Sequence, residues 1–274
     1  MLHEREPRKA NRESVNDRAT VTQPLAGRAV LVTGASSGIG RAIAVASARA
    51  GADVALTYLS NEQGARDVAR EIEAVGRRAA VFQTDIAEAS SVRTLGPSAR
   101  DALGRLDVWV NNAGADILTG AVASLGPVEK LDLLLAVDVR GTMLASWEAA
   151  DVLGAQDEGG VIINMSWDHV FTGMAGRNPE LFAAAKGAVL AFSKSLARTV
   201  APRVRVNVIA PGWIDTSFAA TLPESRRREV AESAPLRRWG TPDDVAGAFV
   251  FLASRASDYV HGIVLPVDGG WLAR

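Results

Sequence analysis

The sequence predicts one α/β domain built on a doubly wound, seven-stranded parallel sheet. Short apolar runs rich in β-branched residues alternate with longer helical stretches from residue 29 onward, and no Pro-, Gly- or Ser-rich linker divides the series. Apolar side chains fill most of each run, which predicts strands that are buried on both faces. Such alternation is typical of a parallel sheet covered by helices on both sides.

The predicted strands are the apolar runs, and the predicted helices are the longer amphipathic stretches between them. The strands are Ala29–Thr33, Asp53–Tyr58, Ala79–Thr84, Asp107–Asn111, Val161–Met165, Val204–Ile209 and Ile263–Val267. The helices are Ile39–Ala50, Gln63–Val75, Ser90–Leu103, Val128–Leu153, Leu181–Val200 and Asp243–Ala253.

The composition is that of an ordinary globular protein and argues against several function classes. Of the 274 residues, 48% are apolar and 22% are charged, and the net charge is −1. That balance provides no electrostatic footprint for nucleic acid or an anionic membrane. The apolar runs are far shorter than the ~20 residues that cross a bilayer. Cysteine is absent and histidine occurs three times, so we expect no metal site.

The first 24 residues differ in composition from the rest of the chain. Residues 1–24 are dense in mixed charge and poor in aliphatic side chains, so we expect a disordered tail that precedes a single domain over residues 25–274. The tail lacks the apolar core of a signal peptide, which favours a cytoplasmic protein.

A glycine-rich turn follows the first predicted strand. In VTGASSGIGRAIA, Gly34, Gly38 and Gly40 have G-x-x-x-G-x-G spacing directly before a helix. Glycine allows the backbone to approach a pyrophosphate closely, and the helix N-terminus offers free N–H groups and a positive dipole end to it. The turn therefore predicts a dinucleotide site that includes Ser36, Ser37 and Ile39.

Five motifs resemble those of the classical short-chain dehydrogenases/reductases, especially the ketoacyl carrier-protein reductase-like members. They are TGASSGIG (33–40), NNAG (111–114), PGWIDT (211–216), RWGTPDDVA (238–246) and VDGGW (267–271). The resemblance covers about residues 25–272 and implies a Rossmann-type NAD(P)-binding domain that acts on a small-molecule substrate. It also implies a homo-oligomer, a dimer or more often a tetramer, formed through the two long helices and the VDGGW segment.

The resemblance also implies which residues contact the cofactor. Asp85 and Ile86 would flank the adenine, and Ile214 and Thr216 would hold the carboxamide. The remaining implied contacts are made by Tyr58, Asn111, Ala113, Gly114, Lys186, Pro211 and Gly212.

The end of the second predicted strand favours NADP(H), with NAD(H) as the alternative. A carboxylate there would bind the 2′-hydroxyl of NAD and repel a 2′-phosphate. Thr57, Tyr58, Leu59 and Ser60 occupy this region, and Arg41 is the nearest candidate cation.

The catalytic positions implied by the resemblance are largely changed. Lys186 matches the family's lysine, but Phe182 occupies the place of the tyrosine that exchanges a proton with substrate. Asp138 stands where an asparagine supports a proton-relay water. Trp167 falls at the place of the carbonyl-orienting serine and Ser166 one residue early, although a register slip would restore Ser166.

The loop after the fifth predicted strand supplies Asp168 and His169. Ligands of open α/β sheets bind at the carboxyl ends of strands, so these side chains are candidates for an acid, a base or a substrate anchor. The alternative is that one caps a turn while the other is solvated.

Three functions follow from this altered site. The first is a nicotinamide-dependent oxidoreductase whose substrate, such as an imine or iminium, needs no phenolic acid. The second is a dehydratase, isomerase or cyclase on the same fold that uses Asp168, His169 or Asp138. The third is a pseudoenzyme that binds dinucleotide as a partner subunit or sensor. Fold resemblance alone does not separate them.

Overall fold

The computed structural model describes residues 23–273 and shows a single seven-stranded parallel sheet. The strand order is β3-β2-β1-β4-β5-β6-β7, with every neighbouring pair parallel. The fold class predicted from the sequence is confirmed. All of the predicted N-terminal tail except residues 23 and 24 lies outside the described part of the chain.

The strands begin and end within two residues of the predicted bounds. They are β1 Ala29–Val32, β2 Asp53–Tyr58, β3 Ala79–Gln83, β4 Val108–Asn111, β5 Gly160–Met165, β6 Val204–Pro211 and β7 Val264–Val267. The agreement follows from burial, because β1, β2 and β4 consist almost wholly of buried side chains and so appear as uninterrupted apolar runs.

The helices are α1 Gly38–Arg49, α2 Glu62–Ala74, α3 Ala89–Leu103, α4 Pro127–Leu134, α5 Thr142–Gly154, α6 Arg177–Val200, α7 Glu224–Ser233 and α8 Pro242–Ala253. They agree with the predicted ones except that the middle of the chain differs, α6 begins four residues before its predicted start, and α7 is not among the predicted helices. The long helix predicted over Val128–Leu153 is interrupted by a π-helical segment, Leu135–Gly141, which joins α4 to α5. Such a segment preserves the apolar pattern on either side, so the sequence does not reveal it.

The core lies in two layers, one on each face of the sheet. One layer packs α1 and α8 against residues such as Val30 and Val54, and the other packs α3 and α5 against residues such as Leu31 and Trp109. A small third cluster contains Ile117, Leu134 and Ala185. No helix in residues 23–273 is both long and apolar enough to cross a membrane.

The strand order places the ligand crevice between β1 and β4. The chain runs from β1 outward to β2 and β3, and then returns to β4 on the other side of β1. The connections that leave the carboxyl ends of β1 and β4 therefore diverge and open a crevice there, which is where open α/β sheets bind ligands. The glycine turn follows β1, and the NNAG segment begins at the end of β4.

Helix α8 supports this crevice from behind because it packs against α1. Its N-terminus has a capping box: Thr241 accepts a hydrogen bond from Asp244 N at 3.2 Å, and the Asp244 carboxylate accepts one from Thr241 N at 2.7 Å. Hydrogen bonds from Arg238 and from the backbone of Thr241 hold the pKa of Asp244 below its usual range.

We expect Thr241→Ala to lower the free energy of unfolding by about 1 kcal/mol, because the Asp244 amide loses its side-chain acceptor. Thr241→Ser keeps the hydroxyl and should retain most of the stability. Denaturant unfolding of both variants checks this, and equal losses in the two would contradict the capping argument.

Candidate active site and dinucleotide crevice

The glycine turn has the geometry that close approach of a phosphate requires. Gly34 has φ +64 and Gly38 has φ +56, a left-handed region that favours glycine. A Cβ at Gly40 would lie 2.3 Å from the carbonyl oxygen of Gly34. Helix α1 begins at Gly38, and its N-cap residue Ser37 makes no side-chain capping bond, so helix N–H groups face the crevice. These residues fit a dinucleotide pyrophosphate.

The end of β2 supports the turn and presents no acid to the crevice. Thr57 accepts a hydrogen bond from Gly34 N through its hydroxyl at 3.1 Å and from Ala35 N through its carbonyl at 2.8 Å. Arg41, the candidate cation for a 2′-phosphate, donates from one nitrogen to both oxygens of the Glu71 carboxylate at 2.7 and 2.9 Å. This pair is exposed, so its energetic contribution is small and Arg41 is available for exchange.

The NNAG segment requires one correction to the predicted cofactor contacts. The side chain of Asn111 is buried and faces away from the crevice, donating to Ser146 Oγ at 2.9 Å and to Asn164 Oδ1 at 2.8 Å. Asn112 instead lines the crevice and donates to the carbonyl oxygens of Thr33 and Gly34, both at 3.0 Å. Successive residues at a strand end point to opposite sides, which explains the exchange of roles.

The predicted adenine contacts follow β3. The carboxylate of Asp85 accepts from Ala87 N at 2.9 Å and so closes the turn before α3. Ile86 is buried, and a Cβ at Gly141 would come within 2.9 Å of it. The adenine contacts of Asp85 and Ile86 therefore remain a prediction.

A cavity of about 500 Å³ opens beside the glycine turn at the carboxyl ends of β4, β5 and β6. On the cofactor side it is lined by Ile39, Asn112, Gly114, Pro211, Gly212, Ile214 and Thr216. Of the predicted catalytic residues, Asp138, Ser166, Trp167, Phe182 and Lys186 line it as well. Asp168 and His169 do not.

Lys186 and Asp138 form a buried ion pair in the floor of this cavity. The ammonium nitrogen of Lys186 on α6 lies 2.9 Å from Oδ1 of Asp138 in the π-helical segment, and both side chains are buried. Asp138 Oδ2 accepts a hydrogen bond from Ala115 N at 2.8 Å, and the ammonium also lies 3.4 Å from the carbonyl oxygen of Met165. Charges removed from water need such partners, since an unpaired one costs several kcal/mol.

Ser166 and Trp167 have different surroundings in the structure. The hydroxyl of Ser166 donates to the carbonyl oxygen of Lys186 at 3.0 Å, so it is engaged with the backbone of α6. The Trp167 indole forms part of the cavity wall and packs edge-on against Phe182, with ring centroids 5.3 Å apart. This arrangement supports Trp167 at the place expected for a serine, and the register stays a prediction because Ser166 also lines the cavity.

Asp168 and His169 are buried behind the wall rather than solvated in a loop. They are 0% and 2% exposed, and Nδ1 of His169 lies 2.5 Å from Oδ1 of Asp168. The His169 ring stacks on Trp167 with centroids 4.6 Å apart and planes 20° apart. The alternative in which one of the two is exposed to solvent is wrong.

Comparison with known proteins agrees with this geometry. Residues 34–272 match the sequence model of a protein family described as enoyl-(acyl carrier protein) reductase. The chain belongs to the classical short-chain dehydrogenases/reductases. Members of this oxidoreductase family bind NAD(P)(H), and the described crevice has the parts that such binding requires.

Similar proteins include dehydrogenases of cyclic alcohols. The cis-4-hydroxycyclohexanecarboxylate dehydrogenase of Sinomonas cyclohexanicum is 36% identical over 257 residues, which cover 92% of this chain and 99% of that protein. A 7α-hydroxysteroid dehydrogenase solved with NADH and 7-oxo glycochenodeoxycholic acid has a TM-score of 0.81 and 29% identity, covering 91% and 96%. A metagenomic blue fluorescent protein solved with NADPH has a TM-score of 0.79 and 36% identity, covering 90% and 99%.

Several wall residues of this short-chain dehydrogenase/reductase site escaped the sequence analysis. They are Asp116, Met174, Asn178, Trp213 and Phe218. Trp213 lies within the PGWIDT motif, and its large side chain next to the predicted nicotinamide contacts could have indicated a wall residue. Asp116, Met174 and Phe218 lie in loops whose path the sequence does not define, and Asn178 lies in the first turn of α6, before the predicted start of that helix.

We expect Asn111→Ala to lower the free energy of unfolding by about 2 kcal/mol, because it leaves the buried Nε1 of Trp109 without its acceptor and removes one of the donors to Asn164 Oδ1. Affinity for NADPH should change little in the folded variant. Asn112→Ala is the matched comparison and should mainly weaken NADPH binding, since it releases the glycine turn. Denaturant unfolding and NADPH titration separate the two, and a large affinity loss in Asn111→Ala alone would reverse the assignment.

Proposed function

We propose that this protein is an NAD(P)(H)-dependent oxidoreductase that acts at a carbon–nitrogen bond, reducing an imine or iminium or oxidising the corresponding amine. The observation that carries the proposal is the buried Lys186–Asp138 pair beside Phe182, in a cavity where a short-chain dehydrogenase/reductase normally presents a phenol. A nicotinamide dinucleotide bound here supplies or accepts the hydride.

The cavity is poor in groups that donate a proton. Its ionisable side chains are Asp116, Asp138 and Lys186, and the last two are paired with each other. A ketone that receives hydride becomes an oxyanion and needs a donor tuned toward the working pH, a contribution of about 10²–10⁴-fold in rate. An iminium that receives hydride becomes a neutral amine and needs none. The site therefore suits the second kind of substrate.

Lys186 retains a role that does not depend on a tyrosine. Its ammonium has three N–H groups, and one of them donates to the Met165 carbonyl at 3.4 Å. Asp138 pairs with the charge at 2.9 Å without a well-aligned hydrogen bond, which leaves N–H groups to bind a ribose hydroxyl of the nicotinamide half of the cofactor. Phe182 lies with its ring centroid 5.4 Å from the ammonium and supplies an apolar surface next to it.

The proposed cofactor preference is NADP(H) over NAD(H). Its support is the end of β2, where Thr57 and Tyr58 stand in place of an acid, together with the exposed Arg41, which can exchange Glu71 for a phosphate. The solved relatives include both an NADH and an NADPH complex, so the family leaves the choice to these residues.

We also propose a homo-oligomer built through α5 and α6. Trp147 on α5 is 52% exposed and packs edge-on against Phe192 of α6, with centroids 5.9 Å apart. The exposed indole of Trp147 lies against the half-buried Phe192 of a neighbouring long helix, and a second copy of the chain would cover this apolar surface.

The two alternative functions differ in their support. A dehydratase, isomerase or cyclase would use Asp168, His169 or Asp138; the first two side chains do not line the cavity, and Asp138 lines it but is paired with Lys186. A dinucleotide-binding pseudoenzyme agrees with Phe182 and remains the competitor that assays must exclude.

The substrate class is tested with a matched pair, a cyclic imine and the cyclic ketone of the same ring size, each assayed by NADPH oxidation. We expect kcat/KM for the imine to exceed that for the ketone by about 10²-fold, because the basic imine takes its proton from water and reacts as the iminium, whereas the ketone needs the missing acid. The double variant Phe182→Tyr/Trp167→Ser should gain ketone reduction, since it restores both hydroxyls. Rapid wild-type ketone reduction would refute the proposal, and inactivity on the whole panel despite NADPH binding would favour the pseudoenzyme.

The ion pair is tested separately from catalysis. Lys186→Met should cost about 3–5 kcal/mol of stability, because Asp138 stays buried without its partner. The double variant Lys186→Met/Asp138→Leu should recover most of that loss while NADPH affinity stays low. Thermal unfolding and NADPH titration provide the two readouts, and wild-type affinity in the double variant would remove Lys186 from cofactor binding.

A further inference from the structure

The cavity wall contains an aromatic assembly that proton transfer does not explain. Four aromatic side chains line the cavity, namely Trp167, Phe182, Trp213 and Phe218. They contact one another or His169: Trp213 stacks on Phe218 with centroids 6.2 Å apart, and Trp167 meets Phe182 at 71°. Aromatic faces attract cations through their quadrupole, and such cages recognise quaternary ammonium groups.

The charges of the cavity also favour a cationic ligand. Its lining holds two carboxylates, Asp116 and Asp138, against one ammonium, that of Lys186. The Lys186–Asp138 pair is internally neutral, which leaves the exposed Asp116 as the excess negative charge. Its carboxylate is fixed by the backbone N–H groups of Leu118 and Thr119 at 2.8 and 3.0 Å, so the charge has a defined position at the rim.

The position of Trp167 in the cavity wall is set by Asp168 and His169, which are buried behind it. The buried hydrogen bond between His169 Nδ1 and Asp168 Oδ1 fixes the plane of the imidazole. That ring stacks on Trp167, lies 5.0 Å from Trp271 and meets Trp213 edge-on at 5.9 Å. An imidazole held at one nitrogen and packed among three indoles has little freedom to rotate, so it defines the position of the Trp167 ring.

We propose that Trp167 is a specificity-determining residue that selects an organic cation over its neutral isostere, and that Asp168 and His169 are its positioning residues. This inference rests on the proposed function, since it names how the iminium class would be recognised. It assigns Asp168 and His169 a part in the site without contact to the reacting atoms.

The test measures binding of two ligands that cannot accept hydride, so its result is independent of turnover. One is N,N-dimethyl-tetrahydroisoquinolinium, and the other is the neutral hydrocarbon in which carbon replaces its nitrogen. Both are titrated by calorimetry into the full-length protein saturated with NADPH. The readout is the ratio of the two dissociation constants, because general damage to the cavity weakens both ligands together.

We expect the wild type to bind the cation about tenfold more tightly than the hydrocarbon, a magnitude within the range of desolvated cation–π contacts. Trp167→Leu should bring the ratio close to one, while Trp167→Phe should keep most of it. Phe171→Leu is the matched control, because Phe171 lies on the same loop, is 49% exposed and does not line the cavity. It should leave the ratio unchanged.

The role of Asp168 and His169 as positioning residues is tested with two further variants. Asp168→Asn retains an acceptor for His169 Nδ1 and should keep the ratio, whereas His169→Leu removes the stacked ring and should reduce it severalfold. An unchanged ratio in His169→Leu, with both affinities lowered alike, would show that the pair only supports the fold. A wild-type ratio near one would overturn the inference even if imines are reduced, and a tenfold ratio in a protein that reduces nothing would sustain it while the proposed function fails.

Discussion

The buried ion pair between Lys186 and Asp138 is the constraint on which the site depends. An ammonium and a carboxylate removed from water are tolerated only with close partners, and here the two are 2.9 Å apart. The pair joins α6 to the π-helical segment, and Asp138 continues the link to Ala115 beyond β4. Three separate stretches of chain are thereby fixed around the cavity, so the position of the lysine follows from electrostatics as much as from helix packing.

The changed catalytic positions form one physically consistent set. In related enzymes the lysine acts on a phenol, and an aromatic ring without the hydroxyl cannot respond to that charge. With Phe182 at that place, the ammonium needs another polar partner within the low-dielectric cavity, and the carboxylate of Asp138 provides it where an amide would leave the charge unbalanced. Trp167 in turn fills the space beside Phe182 with apolar surface. The cavity wall next to the ammonium is therefore aromatic and apolar.

Much of the fold was predictable from sequence because its signals are local. Buried strands such as β2 read as apolar runs, and the glycine turn follows from steric limits on approach to a phosphate. The π-helical segment was not predictable, since it leaves the apolar periodicity intact on both sides. Asn111 and Asn112 are adjacent and of one type, and only the course of the backbone decides which faces the crevice.

The burial of Asp168 and His169 was likewise not predictable from the sequence. Polar residues in a loop are ordinarily solvated, and nothing near them in sequence indicates otherwise. They are covered by Trp167, Trp213 and Trp271, which follow three different strands and meet only after the sheet has formed. The imidazole of His169 supplies a flat surface behind the indole at position 167, and its Nδ1 is hydrogen-bonded to the Asp168 carboxylate. The burial of Asp168 and His169 and the position of Trp167 in the cavity wall therefore result from the same packing arrangement.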